Sequence, residues 1–375
     1  PDGNHLEESG GDGGMKWEIA KLGKIAIIRT GKLDSNAAVI GGRYPFFTCD
    51  PNTLSIDVWA YDTEAVLLAG NNASGNYTAK YYKGKFNAYQ RTYIIESANE
   101  EELNIRYLCY ALNQQLRLLK MMSSGSTTKF LTVRMLDNLD IPLFGINIQT
   151  QIVNILSAYD DLIENNQKQI KLLEEAAQRI YKEWFVDLRF PGHENTKIVD
   201  GVPEGWSRGL LKELISVNYG KDHKKAPDDG NIPVYGSGGL MRKCNKSLFS
   251  GEAVLIPRKG SLNNIMYVDE TFWTVDTMFY ATMKQPHTAV FVYFFVKAFD
   301  MYSMNIGAAV PSMTTKILDA MDVVIPDKET LEKFDKLTKT YFNKIKTLQG
   351  QNERLKTARD LLLPKLMYET QKGDF

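Results

Sequence analysis

Two polar loops of this 375-residue chain carry side chains that could contact nucleic acid. Residues 69–85 read AGNNASGNYTAKYYKGK, and residues 257–264 read PRKGSLNN. Asn and Arg can form paired hydrogen bonds with the edges of bases, whereas Lys, Ser and Tyr reach phosphates. Each loop includes or follows the end of an apolar run, AVLL in one case and AVLI in the other, which indicates that both loops end a strand.

Most loops of this composition are solvated turns, and that interpretation stays open. The recurrence of basic or amide-rich loops at matching places favours DNA contact, as do the runs KDHKK (221–225) and RKCNK (242–246). We therefore predict DNA contacts from six residues in the first half of the chain and seven in the second: Asn71, Asn72, Asn76, Lys80, Lys85 and Lys129, then Lys221, Lys224, Arg242, Arg258, Lys259, Asn263 and Asn264.

No sequence pattern for catalysis or cofactor binding accompanies these loops. The chain lacks a GxxxxGK[ST] phosphate loop, a GxSxG elbow and an HExxH pair, and GSGG at 236–239 lacks the rest of a dinucleotide fingerprint. The three cysteines are far apart and include no CxxC pair, so neither a zinc site nor a disulfide framework is predicted. We expect no metal or cofactor on this chain and a reducing, cytoplasmic setting.

The charge balance is neutral overall, with 45 basic and 45 acidic residues. Residues 1–14, PDGNHLEESGGDGG, read as a cloning remnant and hold four acidic residues but no Lys or Arg. Without them the net charge is +4, which is weakly basic for a protein that binds nucleic acid alone. If DNA is the target, we expect a partner to supply part of the phosphate contacts. There is no run of 18 apolar residues, so no membrane span is predicted.

The chain repeats itself at the scale of a whole domain. Trp17 is followed fourteen residues later by Gly31, and Trp206 is followed fourteen residues later by Gly220, with a Lys next in both cases. The offset between the copies is nearly constant until it shortens at a second shared motif, TTKFLTVRMLDNLDIPL (127–143) and AVPSMTTKILDAMDVVIP (309–326). Strands separated by Gly/Asn turns, with a short helix near residue 103, predict a small mixed α/β domain in each copy.

A long helix follows each copy, because apolar residues recur at steps of three and four after Pro142 and after Pro326. Either these helices serve only for oligomerisation, or they pair antiparallel with each other. In the second case a pairing of Asn166 with Asn352 would set the register. In this register Ile163 faces Leu355, Ile170 faces Leu348 and Leu173 faces Ile345, and Tyr159 and Tyr341 are further predicted seam residues. Pro364 is expected to end or kink the second helix.

At this point the sequence resembles a known family. LLEEAAQRIYKEWFVDLRFPG (172–192) and ARDLLLPKLM (358–367) resemble the conserved helices of the specificity subunit of type I restriction–modification systems. IPVYGSGG (232–239) and residues 307–326 resemble its target-recognition domains, and the resemblance covers residues 15–367. The first copy departs most, since YPFFTCD lacks the Gly-rich turn and Gly70 stands where the second copy has Arg258.

The resemblance implies an α+β fold in which two similar small mixed α/β target-recognition domains are separated by two long helices that pair as an antiparallel coiled coil, with a pseudo-twofold relation. The implied domains are a cloning remnant at 1–14, recognition domain 1 at 15–146, a central conserved helix at 147–190, a linker with recognition domain 2 at 191–326, a C-terminal conserved helix at 327–367 and a tail at 368–375.

The resemblance also implies a non-catalytic subunit that binds double-stranded DNA. Each recognition domain would read one half of an asymmetric bipartite site, and the helices would set the spacer. Two methyltransferase subunits, which hold S-adenosylmethionine and methylate adenines, would dock on the chain, and a restriction subunit is an optional further partner. For this docking we select Arg179, Tyr181, Trp184 and Phe185, although the Trp-Phe pair could instead pack on its own domain.

Two rival functions stay open. The chain could be a coiled-coil scaffold that binds other proteins without DNA specificity. It could also be a nuclease or methyltransferase in its own right, against which the missing cofactor motifs argue.

Overall fold

The computed structural model describes residues 17–50, 52–71, 77, 79–122, 131–304 and 312–372. The chain divides into two compact units. Unit 1 consists of Pro1–Asn165 with Gln351–Phe375, and unit 2 consists of Asn166–Gly350. Each unit therefore combines one globular part with a segment of each long helix.

Unit 1 is built around a six-stranded sheet. Its elements are β1 (Trp17–Lys21), α1 (Leu22–Ile25), β2 (Ala26–Thr30), β3 (Tyr44–Phe47), β4 (Leu54–Ile56), β5 (Tyr61–Ala69), β6 (Ala79–Ala88), β7 (Thr92–Ser97), α2 (Ile105–Met122), α3 (Val133–Asp137), β8 (Asp140–Phe144) and α4 (Ile146–Tyr181). The strand order of the sheet is β2-β7-β5-β6-β3-β4, and β1 pairs with β8 beside it. Within this sheet, β3 runs parallel to β6, and the other neighbouring strands are antiparallel.

The central strand β5 explains why this sheet is buried on both sides. Ala65 and Leu67 belong to a small cluster on one face, whereas Val66 and Leu68 belong to the main core of unit 1 on the other. All four are buried, so the strand reads as a continuous apolar run instead of alternating with polar residues. Helix α2 lies in the same main core, where Tyr107 is fully buried.

Unit 2 repeats this arrangement. Its elements are β9 (Ile198–Val199), β10 (Val202–Pro203), β11 (Ser207–Leu210), β12 (Ile215–Tyr219), β13 (Ile232–Gly236), β14 (Gly239–Cys244), β15 (Phe249–Pro257), β16 (Met266–Thr274), β17 (Met278–Met283), α5 (Ala289–Lys297), α6 (Thr315–Asp319), β18 (Asp322–Ile325) and α7 (Lys328–Lys372). The run AVFVYFFVK forms the buried helix α5.

The duplication predicted from the sequence is confirmed by the topology. The six-stranded sheet of unit 2 has the order β12-β17-β15-β16-β13-β14, which matches the order in unit 1 strand for strand. The flanking pair β11–β18 likewise matches β1–β8. The expected α+β class with two similar mixed domains is therefore correct.

The second motif shared by the two copies contains a capped helix. The Thr132 hydroxyl accepts a hydrogen bond from the backbone N–H of Met135, and the Thr314 hydroxyl accepts one from Ile317. Such N-caps satisfy a donor that the first helical turn leaves unpaired. Because a strand follows each helix at once, the motif marks the last turn before β8 in one copy and before β18 in the other.

The long helices differ from the expected ranges at their ends. Helix α4 is α-helical as far as Tyr181 and continues as a π-helical turn over Lys182–Val186, where an end near residue 190 was predicted. Helix α7 runs through Pro364 to Lys372, so it does not end at this proline, and the alternative of a kink there stays a prediction. The prolyl ring costs one backbone hydrogen bond, but the buried side chains of Leu363, Leu366 and Met367 anchor this segment in the core of unit 1. None of the described helices is both long and apolar enough to cross a membrane.

The antiparallel pairing of α4 with α7 is confirmed by contacts inside each unit. In unit 1, Nη1 of Arg359 lies 2.5 Å from Oδ1 of Asp160. In unit 2, the rings of Tyr181 and Phe334 have centroids 6.3 Å apart. The predicted register places residue 160 opposite residue 358, which is one position from the observed partner.

The predicted seam residues are covered to different degrees. Ile163, Asn166, Ile345, Leu348 and Asn352 are buried, with exposures between 2% and 7%. Half-buried positions are Tyr159, Ile170, Leu173, Tyr341 and Leu355. The pairing of Asn166 with Asn352 would join the two units and stays a prediction.

Candidate nucleic-acid interface

Four segments, each a loop with the strand residues beside it, meet where several strands of the unit 2 sheet end. We call this surface the strand-end edge. They comprise residues 219–225, 236–241, 257–264 and 274–278. Strands β12 and β15 end there beside the start of β17, because Tyr219 pairs with Phe279 and Pro257 pairs with Met278. Strand β13 ends there as well, since it runs parallel to β16. The topology therefore brings segments that are distant in sequence to one surface.

Arg258 is held at the middle of this edge. Its guanidinium carbon lies 5.3 Å from the centroid of the Tyr219 ring and 5.8 Å from that of Phe279. Nη1 donates a hydrogen bond to the carbonyl of Asp276 at 3.2 Å. This is one of five N–H donors in a planar group suited to paired hydrogen bonds with guanine or phosphate. Stacking on tyrosine limits the rotation of the side chain, which favours a preset orientation.

The two lysines predicted beside Arg258 are exposed. Lys221 follows the end of β12, and its backbone carbonyl accepts a hydrogen bond from Nε1 of Trp273 at 3.1 Å. Lys259 forms a backbone bridge with Ser312. Both backbones are therefore fixed while both ammonium groups lie on the exposed side. Long, mobile cations of this kind suit phosphate contacts that are independent of sequence.

The two asparagines of the loop after β15 hold the loop itself. Asn263 donates to Oδ1 of Asp300 at 3.0 Å and accepts from the backbone N–H of Met301 at 2.8 Å. Asn264 donates to the carbonyl of Ser237 at 2.9 Å, which ties this loop to the β13–β14 turn. These bonds use one N–H of each amide, and an asparagine amide carries two N–H donors and an oxygen with two lone pairs, so the loop can be held while a base is contacted.

The Gly-Lys pairs that marked the repeat have a steric cause. A Cβ at Gly220 would lie 2.0 Å from the carbonyl oxygen of Val275, and one at Gly31 would lie 2.2 Å from that of Ala88. No side chain fits at either place. Glycine therefore allows the chain after β12 and after β2 to pass close to the neighbouring strand end. The lysine that follows, Lys221 or Lys32, then lies at this end of the sheet.

Arg242 has a structural contact set that the sequence did not reveal. Its guanidinium forms an ion pair with Asp228 and donates to the carbonyls of His223 (2.5 Å) and Ala226 (2.7 Å). The side chain is only 22% exposed. The exposed Lys224 belongs to the loop that these bonds attach to the β13–β14 hairpin. We therefore interpret Arg242 as a residue that fixes this loop.

The matching edge of unit 1 carries different side chains on the same backbone. Gly70 donates its N–H to the carbonyl of Arg91 and accepts from Leu131. Arg258 makes the same two backbone bonds, with Thr277 and Met313. The positions are structurally equivalent, as the sequence repeat implied, so one copy places a glycine where the other places an arginine.

Among the predicted contacts of unit 1, Asn71 and Lys80 lie at this edge. Asn71 follows the end of β5 and is half-buried. Nζ of Lys80 donates to Oγ1 of Thr53 at 3.3 Å. Its partial burial lowers the pKa of the ammonium group, an effect that the carboxylate of Asp50 opposes. Asn72, Asn76 and Lys129 lie outside the described residues.

Lys85 and Lys80 pair with opposite ends of β5. Lys85 pairs with Asp62 near the start of β5, whereas Lys80 pairs with Leu67 near its end. The two lysines are five positions apart along the strand, which is about 17 Å. The ammonium of Lys85 lies 4.7 Å from the ring centroid of Trp59. Lys85 is therefore separated from Lys80 along the strand and lies against Trp59.

The residues selected for partner docking lie mostly inside unit 2. Tyr181 is 7% exposed and its ring stacks on Phe294 with centroids 5.4 Å apart. Phe185 packs against Phe334 at 4.8 Å, and Trp184 lies 5.8 Å from the same ring. These contacts match the alternative that the aromatic pair packs on its own domain. Arg179 is exposed, and Trp184 and Phe185 are half-buried, so parts of these three side chains remain available to a partner.

Sequence reasoning overlooked Tyr219, which is 53% exposed and forms the platform under Arg258. An aromatic residue directly before the Gly220-Lys221 landmark was a usable signal. The repeat does not reveal this signal, because the residue equivalent to Tyr219 in the first copy is Thr30. Among the described residues, no group of three His, Cys, Asp or Glu side chains is placed to hold a metal ion.

Comparison with known proteins identifies the family. Residues 15–175 and 203–357 each match the type I restriction modification DNA specificity domain. The chain belongs to this family. The two matched regions correspond to the two copies of the duplicated fold, each with a segment of its following helix.

Relatives in the family include specificity subunits from bacteria and archaea. The EcoDI specificity subunit of Escherichia coli is 31% identical over 216 residues, which cover 52% of this chain and 47% of that protein. The MjaIX specificity subunit of Methanocaldococcus jannaschii is 25% identical over 303 residues, covering 70% of this chain and 67% of the relative. The chain thus spans about half the length of the Escherichia coli relative.

A solved structure shares the fold. The S subunit of a type I restriction–modification system from Mycoplasma genitalium superposes with a TM-score of 0.56 at 19% identity, covering 94% of this chain and 96% of that one. At this identity the likeness concerns the fold.

Proposed function

We propose that this chain is a non-catalytic DNA-reading subunit whose two strand-end edges contact the two halves of an asymmetric bipartite site. The observation that carries the proposal is the equivalence of Gly70 and Arg258. Two domains with the same strand order present the same backbone position, one with no side chain and the other with a stacked guanidinium. One scaffold with two different sets of side chains is what the reading of two unlike half-sites requires.

In the second domain, Arg258 would read a base while the neighbouring lysines hold phosphates. A guanidinium fork pairs with O6 and N7 of guanine in the major groove. Lys221 and Lys259 are exposed at the same strand-end edge, and they would neutralise the DNA backbone without choosing a base. In the first domain, Asn71 and Lys80 are the described residues that would take the equivalent roles.

The paired helices are proposed to set the spacer between the half-sites. Helices α4 and α7 each contribute a segment to each unit, and they contact each other in both. Because the DNA helix repeats about every 10 base pairs, two readers joined by a fixed connection accept only half-sites in the matching phase. A constant spacer in the recognised sequence is therefore expected.

Catalysis is proposed to come from partner subunits. The similar proteins are named as specificity subunits of type I restriction enzymes. By analogy, two methyltransferase subunits that bind S-adenosylmethionine would methylate adenines in each half-site, and a restriction subunit could join them. The exposed Arg179 and the half-buried Trp184 are proposed docking residues. The weakly basic charge outside residues 1–14 supports a partner that shares the phosphate contacts.

The proposal is tested by mapping methylated adenines in the DNA of cells that express this chain with its methyltransferase subunits. We expect one asymmetric bipartite motif with a constant spacer. Methylation that depends on no sequence, or on a single undivided motif, would refute the two-reader arrangement. Failure of the purified assembly to shift any duplex in a salt-dependent manner would favour a protein scaffold instead.

A further inference from the structure

The β13–β14 hairpin exposes two apolar side chains at the strand-end edge of unit 2. Leu240 is 60% exposed and Met241 is 54% exposed. They follow the two-residue turn that joins the paired residues Gly236 and Gly239. Adjacent exposed apolar residues also occur in the β9–β10 hairpin, at Ile198 and Val199, so the role of the Leu240–Met241 pair depends on what surrounds it.

A β-bulge sets the direction of these side chains. Val234 pairs with Arg242 while Tyr235 pairs with Leu240, so Met241 is an extra residue without an opposite partner. Bulges re-aim side chains and are frequent next to functional sites. The sulfur of Met241 lies 2.5 Å from where a Cβ on Gly236 would be, so glycine leaves the space that the thioether occupies.

The hairpin is firmly attached on both sides. At its base, Arg242 bonds to the loop that contains Asp228 and Ala226. At its turn, the carbonyl of Ser237 accepts a hydrogen bond from the Asn264 amide. These bonds fix the backbone of the hairpin, so the tip can keep its position when a ligand contacts Leu240 and Met241.

The surroundings of the tip favour DNA over an apolar protein surface. The four segments of the strand-end edge carry five basic residues, Lys221, Lys224, Lys225, Arg258 and Lys259, and two acidic ones, Asp222 and Asp276. The basic side chains would attract the phosphates of DNA, while the apolar pair between them would meet the stacked bases. An apolar protein partner would have to desolvate those charges.

The described residues of the equivalent loop in the first domain include no such pair. The equivalent hairpin of that domain, β3–β4, is joined by a loop in which the described residues are polar or the half-buried Cys49: Thr48, Cys49, Asp50, Asn52 and Thr53. The tip of this hairpin therefore differs between the two domains, as the residue at the Arg258 position does.

We propose that Leu240 and Met241 form an apolar wedge that inserts at one base-pair step of the half-site read by the second domain. Leu and Met are among the side chains that proteins use to unstack and kink a duplex. The wedge would add readout through deformability, because pyrimidine–purine steps unstack most easily. This inference rests on the proposed DNA-reading function and assigns a second specificity element to it.

The test uses the assembly of this chain with its methyltransferase subunits and duplexes that carry 2-aminopurine, an adenine analogue that brightens when it is unstacked. The analogue replaces the adenines of the second half-site and its flanks one at a time, on either strand, outside the methylated adenine. With the unchanged chain we expect increased fluorescence at one step. The double variant Leu240→Ala/Met241→Ala should lose this increase and bind the site roughly tenfold more weakly.

The matched control is Val199→Ala, which shortens a 63% exposed apolar side chain in the β9–β10 hairpin of the same unit. It should keep both the fluorescence and the affinity. Thermal unfolding of all variants should be unchanged, since the removed groups are exposed.

The outcomes separate the wedge from the proposed function. Specific binding without a fluorescence increase at any position, or an equal increase with the double variant, would overturn the wedge and leave DNA reading intact. Loss of the methyltransferase subunits from the purified double variant would assign the tip to a protein contact and also overturn it. An unchanged assembly that binds no duplex specifically would overturn both.

Discussion

Replacement of Arg258 by alanine should weaken binding to the recognised site and relax its choice at one base position. The guanidinium is held over Tyr219 and uses one N–H on the carbonyl of Asp276, so a paired contact with a base needs little reordering. Loss of such a contact is worth about 1–3 kcal/mol, which corresponds to roughly 5- to 150-fold in the dissociation constant. The fold should be unaffected, because the side chain lies at the edge of the sheet.

The assay is a competition between duplexes that differ at each position of the second half-site, at fixed salt. Arg258→Ala should reduce the preference at one position and leave the other half-site unchanged. Arg258→Lys keeps the charge but loses the planar fork, so it should restore general affinity without restoring the preference. A substitution that weakened all sequences equally would show that Arg258 contacts phosphate only.

Lys259→Ala is the matched control for charge. Lys259 is exposed, adjacent to Arg258 and suited to a phosphate contact. Its loss should weaken all duplexes alike and lower the salt dependence of binding by about one unit of log–log slope. If Arg258→Ala and Lys259→Ala both left binding untouched, the strand-end edge would be the wrong surface.

Three further predictions concern the framework. Cysteines introduced at Ile163 and Leu355 should crosslink on oxidation, as the register implies, and crosslinking only at other offsets would contradict it. Tyr181→Ala should lower the free energy of unfolding by about 3–5 kcal/mol in denaturant titrations, because the ring is buried among aromatic residues; an unchanged value would return Tyr181 to the candidate partner surface. Burial opposes ionisation of Asp327, but hydrogen bonds from Thr330 outweigh it and lower the carboxyl pKa. Because the pKa of Asp327 is lower in the folded chain than the unfolded value of about 4, the carboxylate stabilises the fold above that pH and the effect is lost as pH falls. In Asp327→Asn, the free energy of unfolding should therefore fall less steeply between neutral and acidic pH. A fall as steep as in the unchanged chain would refute this.

The repeat was visible in the sequence because close packing preserves the residues that mark it. Gly31 and Gly220 are required because neighbouring carbonyl oxygens occupy the space of any Cβ, and Thr132 and Thr314 are required by helix caps. Such constraints act on single residues at set distances along the chain. They therefore remain recognisable when the rest of a duplicated domain has diverged.

The side chains of the candidate interface were harder to predict. Arg242 and Arg258 occur in similar basic runs, but only the folded chain shows that the first is bound to Asp228 and two carbonyls. Lys80 and Lys85 belong to one strand, yet they pair with opposite ends of β5. Composition cannot separate such cases, because the contacts come from residues that are distant in sequence.

The core of unit 1 implies an unusual order of folding during synthesis. Leu363, Leu366 and Met367 pack with Ile152 and Leu156, so this core needs a segment that is made only after the whole of unit 2. Unit 2 is one continuous stretch of chain and can be completed first. The part of the protein that leaves the ribosome first is therefore finished last, and until then its apolar surface stays open to chaperones or to aggregation.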